Sequence, residues 1–157
     1  MKIFNAYFTS KIRYGLEAYG ITSKKNIKKL QIQQNRALKI LFNKDIRTNT
    51  KELHRDLQIL MIKDLQRQCL AQIAYKNQSN EHNRNTQFSF EKNKDIHTYN
   101  TRQNNNLHVP HYKTKIGKQT IEYTVPKIWN DLPATIQEAS NYNKFKKEIK
   151  QYYLRNY

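Results

Sequence analysis

The sequence predicts a mainly α-helical protein, and composition is the first reason. Only three glycines and three prolines occur among 157 residues, which disfavours an all-β sandwich with its many tight turns. Lysine, glutamine, leucine and isoleucine are abundant, and this composition favours helices. The apolar fraction of 37% is low for a globular domain, so any core must be small. We therefore expect a small helical bundle, an irregular asparagine-rich linker and a small α-rich C-terminal unit with one short strand pair.

Composition also divides the chain into three zones. Residues 1–76 carry a net charge of +11 and are expected to form a basic helical region. Residues 77–107 carry a net charge of +1, contain nine asparagines and have few apolar side chains, so we expect a linker that buries little. Residues 108–157 carry a net charge of +5 and are expected to form a small C-terminal domain that ends in an amphipathic helix.

Apolar residues recur at helical spacing in the first zone. The face of a first helix consists of Phe4, Phe8, Ile12 and Leu16. This helix is expected to end near Gly15 or Gly20. Thr22 or Ser23 can cap a second helix. The apolar stripe of the second helix consists of Ile27, Leu30, Ala37, Leu38 and Leu41.

Two further helices are expected before the linker. Thr50 is predicted to cap a short third helix that carries Leu53 and Leu57. A fourth helix is predicted to begin near Ile62. Its inward-facing residues are expected to be Leu65, Cys69, Leu70 and Ile73.

The last zone has a mixed pattern. The segment Thr120–Val125 alternates and is β-rich, which predicts a short strand. Pro126 suits the first position of a short helix in which Trp129 is a core anchor, and Asn130 is expected to fix the following turn. A final helix from Ser140 is expected to place several apolar residues on one side, namely Tyr142, Phe145, Ile149, Tyr152 and Tyr153.

The charge balance indicates a polyanionic partner. The chain has 29 basic and 12 acidic residues, for a net charge of +17. Nucleic acid is the commonest polyanion that a soluble protein meets, so RNA or DNA is the expected partner. An AT-rich coding sequence would also raise the lysine content, but it does not explain why acidic residues are so few.

The second helix carries the first group of candidate binding residues, which are Lys24, Lys25, Lys28, Lys29, Arg36 and Lys39. Their spacing of three, four or seven residues predicts a basic ridge along one side of the helix. Such a ridge can follow a phosphate backbone, with binding that tolerates different sequences and weakens steeply with salt. The alternative is a solvated face that keeps the protein soluble.

Two more groups complete the candidate site. Tyr99 can stack on a base and Arg102 can bind phosphate, with His97 beside them. Alternatively, Arg102 anchors the linker to the domain surface through a carboxylate or a carbonyl. The final helix offers a second basic surface made of Lys146, Lys147 and Lys150, next to Tyr152 and Tyr153, although Tyr153 could equally pack inward.

Cysteine content and hydropathy indicate the compartment. Cys69 is the single cysteine, which excludes an internal disulfide and fits a reducing environment. The chain contains neither an apolar run long enough to span a membrane nor a secretory N-terminal pattern. A nuclear or cytoplasmic location without membrane attachment is therefore expected.

Three short strings in the first zone are similar to motifs of one family. Tyr14–Gly20 (YGLEAYG) is similar to Y-G-x-x-x-W-G, with Tyr19 in place of Trp. Gln33–Leu41 (QQNRALKIL) loosely matches Q-x-x-A-x-R-x-I. Leu57–Leu65 (LQILMIKDL) is similar to L-x-I-L-x-L-x-D-L.

Three more strings follow in the same order as in that family. His97–Arg102 (HTYNTR) is similar to H-x-Y-x-T-R. Pro126–Pro133 (PKIWNDLP) is similar to the end of G-P-K-L-W-N-x-L-P, with Val125 in place of Gly. Phe145–Lys147 is similar to the start of F-K-K-x-(L/I)-K. In this order and spacing, the chain resembles the C-terminal region of the reverse transcriptases of non-LTR retrotransposons, especially the jockey-like group.

The resemblance implies a position after the polymerase palm, with residues 1–76 as thumb-like helices, followed by the linker and a C-terminal domain. It implies that the chain helps to hold template RNA or the hybrid with target DNA. The implied partners are RNA or DNA and the rest of the reverse transcriptase. The alternative is a 5′-truncated relic of a retroelement with no independent activity.

No catalytic centre is expected in this chain. Polymerisation needs paired carboxylates that hold two metal ions, and this family supplies them in a Y/F-x-D-D turn. The five aspartates are never adjacent in the sequence. A zinc site is also disfavoured, because His97, His108 and His111 have only one distant cysteine to accompany them. We therefore expect neither a metal nor another cofactor.

Overall fold

The regular structure of the described residues is almost entirely helical, which confirms the mainly α prediction. The computed structural model describes residues 4–19, 24–79, 88–99 and 101–157. We number the α-helices in chain order as α1 (Ser10–Tyr19), α2 (Lys24–Leu41), α3 (Thr50–Asp56), α4 (Ile62–Gln78), α5 (Asn93–Ile96), α6 (Ile121–Asn130), α7 (Ala134–Gln137) and α8 (Tyr142–Arg155). A π-helical segment, Asn5–Thr9, leads directly into α1, and a 3₁₀ turn, Gly117–Gln119, precedes α6.

The chain forms two compact units. The first comprises Met1–Cys69 together with Lys147–Tyr157, and the second comprises Leu70–Lys146. Residues within each unit contact one another in space. The boundaries of the two units differ from those of the three zones, which were defined by composition alone.

The first unit has a core built from four of its segments. The buried members of this cluster are Phe4, Leu38, Leu53 and Ile59. Partly buried residues pack against them, namely Phe8, Ala37, Phe42 and Leu57. The first helix runs through Gly15, while Gly20 and the two candidate caps Thr22 and Ser23 lie outside the described residues.

The buried face of α2 differs from the predicted apolar stripe. Leu38 is fully buried, but Leu30 is 39% exposed and Leu41 is 53% exposed. The centre of the buried face is instead a polar residue, Gln34, which is only 1% exposed. The prediction was wrong for these two leucines because it was based on hydrophobicity alone. An amide side chain such as that of Gln34 can also be buried when it has hydrogen-bond partners.

The cap of α3 is Asn49, so the prediction of Thr50 was wrong. The side chain of Asn49 accepts a hydrogen bond from the backbone N–H of Lys51 at 3.0 Å. Its amide also donates to the carboxylate of Glu52 at 3.0 Å. Both residue types can cap, but Asn49 has the extended backbone that an N-cap requires, while Thr50 is already helical.

Helices α2 and α3 end in the same way. Asn43 and Gln58 have positive φ angles of 47° and 54° just beyond the two helix ends. After α2, the N–H of Lys44 donates to the carbonyl of Lys39 at 2.8 Å. This six-to-one bond and the left-handed residue define a Schellman motif, which turns the chain sharply back beside the helix.

Helix α4 begins at Ile62 as predicted. Leu65, Cys69 and Leu70 are buried, whereas Ile73 is half-buried. Helix α8 begins at Tyr142, where the side chain of Asn141 accepts from the N–H of Lys144 at 2.8 Å. The helix therefore starts two residues after Ser140.

An aromatic cluster forms the core of the second unit. Phe145 is fully buried and stacks on Tyr75, with ring centroids 4.4 Å apart. The Trp129 ring lies 5.9 Å from Phe145, and only 7% of Trp129 is exposed. The hydroxyl of Tyr75 donates to the carbonyl of Ala139 at 2.8 Å, which satisfies its buried polar group. The interpretation of Trp129 as a core anchor is therefore confirmed.

The predicted strand at Thr120–Val125 is wrong, because this segment forms the beginning of α6. Ile121, Val125 and Trp129 lie four residues apart, so a helix places them on one face, and Val125 is fully buried. Six residues of alternation are too few to distinguish a strand from this spacing. Pro126 accordingly lies inside the helix rather than at its first position.

Asn130 holds a distant segment instead of the turn after α6. Its side chain accepts from the N–H of Leu107 at 2.9 Å and donates to the carbonyl of the same residue at 2.8 Å. Leu107 is 1% exposed and Phe90 is 8% exposed. The described part of the asparagine-rich zone therefore does contribute buried apolar residues, contrary to expectation, whereas residues 80–87 lie outside the described ranges.

Candidate nucleic-acid interface

The basic residues of α2 share one side of the helix. Lys25, Lys28, Lys29 and Arg36 are exposed, and Lys39 is half-buried. With 100° of rotation per residue, these five positions fall within about 100° of the helix circumference. Lys24 begins the helix, but its side chain lies outside the described set. The row from Lys25 to Arg36 is about 16 Å long.

No described carboxylate neutralises this row. Helix α2 contains no acidic residue. Arg55 pairs with Asp56 at 3.8 Å and Arg67 pairs with Asp64 at 3.3 Å, and neither of these ion pairs involves α2. The positive potential of the α2 row is therefore directed at solvent.

Four polar side chains hold α2 with its basic side outward. We call Gln31, Gln34, Asn35 and His54 the polar clamp. The Gln34 amide donates to the carbonyl of Leu60 at 2.9 Å, and the Gln31 side chain accepts from the N–H of Ile62 at 2.8 Å. These bonds tie the side of α2 opposite most of the lysines to the segment that connects α3 and α4. Rotation of α2 would leave buried backbone groups without partners, at about 1–3 kcal/mol each.

His54 is the buried titratable member of the polar clamp. Its Nδ1 donates to the carbonyl of Ile59 at 3.0 Å. The amide nitrogen of Gln31 lies 3.3 Å from Nε2, and the amide oxygen of Asn35 lies 2.9 Å from the same atom. Burial lowers the pKa of His54 below its usual value of 6.5. The hydrogen bond to Ile59 and the charge of Asp64 oppose this effect without cancelling it. Burial therefore favours the neutral form of the ring.

Acidification is expected to destabilise the protein through His54. Below about pH 6.5 the unfolded chain binds a proton at this position more readily than the folded chain, so the free energy of unfolding falls as the pH falls towards the lowered pKa. The slope from this one group is at most about 1.4 kcal/mol per pH unit. Urea unfolding at several pH values between about 7.5 and 5 measures it for the wild type and for His54→Gln, which should lose this component.

His111→Gln is the matched control, because it removes an exposed histidine and should keep the wild-type pH profile. If His54→Gln keeps the full pH dependence of the wild type, His54 is not the group responsible.

The second group of predicted site residues lies in the other unit. His97, Tyr99 and Arg102 are all exposed, with Tyr99 at 80%. The His97 ring lies 6.1 Å from the ring of His108. Arg102 forms no ion pair with any described residue, so the predicted carboxylate anchor is not found there. These side chains are accessible to a nucleic-acid ligand, and that role stays a prediction.

The third group lies on α8. Lys146 and Lys147 are exposed and Lys150 is half-buried. Tyr153 is 6% exposed, so it packs inward, whereas Tyr152 is half-buried. The three lysines of this group are therefore accessible to solvent, fully or in part, and so in part is Tyr152.

A groove that was not predicted from the sequence lies next to the basic row. Its apolar residues are Ile32 and Ile40 on α2 and Ile46 in the following loop, and we call this feature the isoleucine groove. It has a volume of about 760 Å³ and its remaining lining residues are Asn35, Arg36, Lys39, Asn43, Lys44 and Thr50. The sequence contained one indication of this groove: Ile32 and Ile40 lie near the basic positions of α2 and outside its predicted apolar stripe.

Neither a cluster of metal-ligating side chains nor a membrane-spanning helix is found in the described ranges. No group of three or more histidine, cysteine, aspartate or glutamate side chains in these ranges could hold a metal ion. No helix in the same ranges is both long and apolar enough to cross a bilayer.

No protein-family model matches the chain, and neither a curated protein sequence nor a solved structure shows significant similarity to it.

Proposed function

We propose that the protein binds nucleic acid by placing the basic row of α2 along a phosphate backbone. The observation that carries this proposal is the row itself, in which Lys25, Lys28, Lys29 and Arg36 are exposed on one side of a helix that has no carboxylate. An incidental basic surface would be expected to intersperse both signs of charge, as soluble protein surfaces generally do.

The dimensions of the row suit a nucleic-acid strand. A length of about 16 Å corresponds to about five phosphates along one strand of a duplex. Lysine contacts a phosphate as a point charge, and Arg36 can bind a phosphate through two hydrogen bonds. Neither kind of contact involves the edges of the bases. Binding is therefore expected to be largely independent of sequence.

We also propose the kind of larger protein to which this chain belongs. The six ordered strings from Tyr14 to Lys147 support the assignment of this chain to the C-terminal region of a non-LTR retrotransposon reverse transcriptase. In such a protein the α2 row would help to hold template RNA or an RNA–DNA hybrid next to a catalytic palm. The chain itself is proposed to bind and not to catalyse. Its Asp64, for example, accepts from the Tyr157 hydroxyl at 3.0 Å and pairs with Arg67.

Fluorescence anisotropy with labelled single-stranded RNA and with an RNA–DNA duplex tests the proposal. Four phosphate contacts predict that log K falls with log salt concentration at a slope of about −3 for the single strand and about −4 for the duplex. Oligonucleotides of different sequence should give similar affinities. Absence of binding at low salt, or binding that is indifferent to salt, would refute the proposal.

A separate observation tests the parentage. The coding DNA upstream of this chain is expected to contain an open or interrupted frame for a palm with two adjacent aspartates. An unrelated upstream frame would remove the link to reverse transcriptases and leave nucleic-acid binding to be judged by the titration alone.

A further inference from the structure

We infer that the isoleucine groove is a docking site for an acidic amphipathic peptide segment of a partner protein. The inference depends on the apolar floor and the cationic rim of the groove. It does not require that α2 binds nucleic acid.

The floor of the groove is apolar and accessible. Ile32, Ile40 and Ile46 are 43%, 79% and 87% exposed. Ile32 and Ile40 lie two helical turns apart on α2, which places them about 12 Å apart along the helix axis. Three branched aliphatic side chains exposed around one concavity can remove a substantial apolar area from water when a ligand covers them.

The charged side chains at the rim of the groove are all cationic. They are Arg36, Lys39 and Lys44, and none of the described acidic residues lines the groove. The Lys39 ammonium donates to the backbone carbonyl of Ile46, which fixes one cation at the edge and holds the loop beside the helix. The Schellman turn at Asn43 brings Lys44 back towards the same side.

This combination favours a peptide over a nucleic acid. Proteins that bind unpaired bases provide aromatic rings for stacking, and none of the aromatic residues that the structure describes lines this groove. Isoleucine methyl groups suit aliphatic or aromatic side chains, such as those at positions i, i+4 and i+7 of an amphipathic helix. Carboxylates flanking those side chains would face the three cations of the rim. The volume of about 760 Å³ accommodates a few such side chains.

The test uses a fluorescent synthetic peptide of about 15 residues, with leucines at i, i+4 and i+7 and glutamates on the flanking positions. A control peptide has the same composition in shuffled order, so that its leucines surround the helix. Saturable binding of the first peptide, at least about tenfold tighter than that of the shuffled peptide, is expected. No saturable binding below about 1 mM would overturn the inference.

Two matched variants locate the site. Ile40→Gln removes an apolar residue that is 79% exposed in the groove, while Ile116→Gln removes one that is 80% exposed elsewhere. Neither changes the net charge, and high exposure makes both compatible with an intact fold, which circular dichroism checks. Ile40→Gln should weaken peptide binding about tenfold and Ile116→Gln should leave it unchanged. Equal effects of the two variants would overturn the inference.

The same variants distinguish this site from the proposed function. Because Ile40→Gln leaves every cation in place, RNA affinity should stay at the wild-type value. If Ile40→Gln weakens RNA binding while the peptide fails to bind, the groove belongs to the nucleic-acid surface and the peptide inference is wrong. Failure of RNA binding with retained peptide binding refutes only the proposed function.

Discussion

Replacement of Phe145 with alanine is expected to lower the free energy of unfolding by about 3–5 kcal/mol. The side chain is fully buried and stacks on Tyr75 with centroids 4.4 Å apart. It also lies against Trp129, so alanine would leave a cavity between the rings of Tyr75 and Trp129. Because domains of this size are stable by only about 5–15 kcal/mol, this one change should remove a large fraction of the total.

Thermal and urea unfolding, followed by circular dichroism, measure the effect. Phe145→Leu is the matched variant, because it keeps most of the buried volume and should be clearly less destabilising than alanine. The wild type should unfold in a cooperative transition. A non-cooperative wild-type transition, together with little difference between the alanine and leucine variants, would indicate that the aromatic core is not well formed and would favour the relic interpretation.

The helices of this protein were largely predictable because their apolar residues recur at a spacing of three or four. Leu16 in α1, Leu53 in α3, and Phe145 and Ile149 in α8 all follow this pattern, and all are buried. Periodicity reports which side of a helix faces inward, provided that the inward residues are apolar.

The same reasoning fails where buried residues are polar. Gln34 and His54 are 1% and 0% exposed, yet nothing in their local sequence distinguishes them from surface residues. Gln34 donates to the carbonyl of Leu60, 26 residues away. His54 binds the nearby carbonyl of Ile59, but its other ring nitrogen faces the side chains of Gln31 and Asn35, which are 23 and 19 residues away. Asn130 is a similar case, because its backbone partner at Leu107 is 23 residues away. Such pairings are tertiary and have no local signature.

The candidate site was only partly predictable, because some of its features are local in the sequence and others depend on tertiary structure. The exposure of Lys25, Lys28, Lys29 and Arg36 follows from helical geometry and from charge, both of which are local. The isoleucine groove, in contrast, requires the turn at Asn43 and the position of Ile46 beside α2. An asparagine can adopt a left-handed conformation, but sequence alone does not tell which asparagine does so.

Neutralising the basic row of α2 is expected to weaken nucleic-acid binding by about three orders of magnitude at 0.1 M salt. The variant replaces Lys25, Lys28, Lys29 and Arg36 with glutamine. Each lost phosphate contact removes about 0.7–0.9 from the salt slope, so the dependence on salt should nearly vanish. The fold should persist, because these side chains are exposed and because removing like charges at i, i+4 relieves repulsion within the helix.

A second quadruple variant separates a site from general electrostatic attraction. Replacing Lys94, Lys113, Lys115 and Lys118 with glutamine removes four exposed cations that belong to none of the candidate groups. The net charge falls equally in both variants. If α2 is the interface, the second variant should change the salt slope by less than about one unit, because its lysines neutralise no phosphate in the complex. Equal losses of affinity would mean that the excess of basic residues acts as a diffuse field with no preferred surface, and unchanged affinity in the α2 variant would exclude this helix as the binding element.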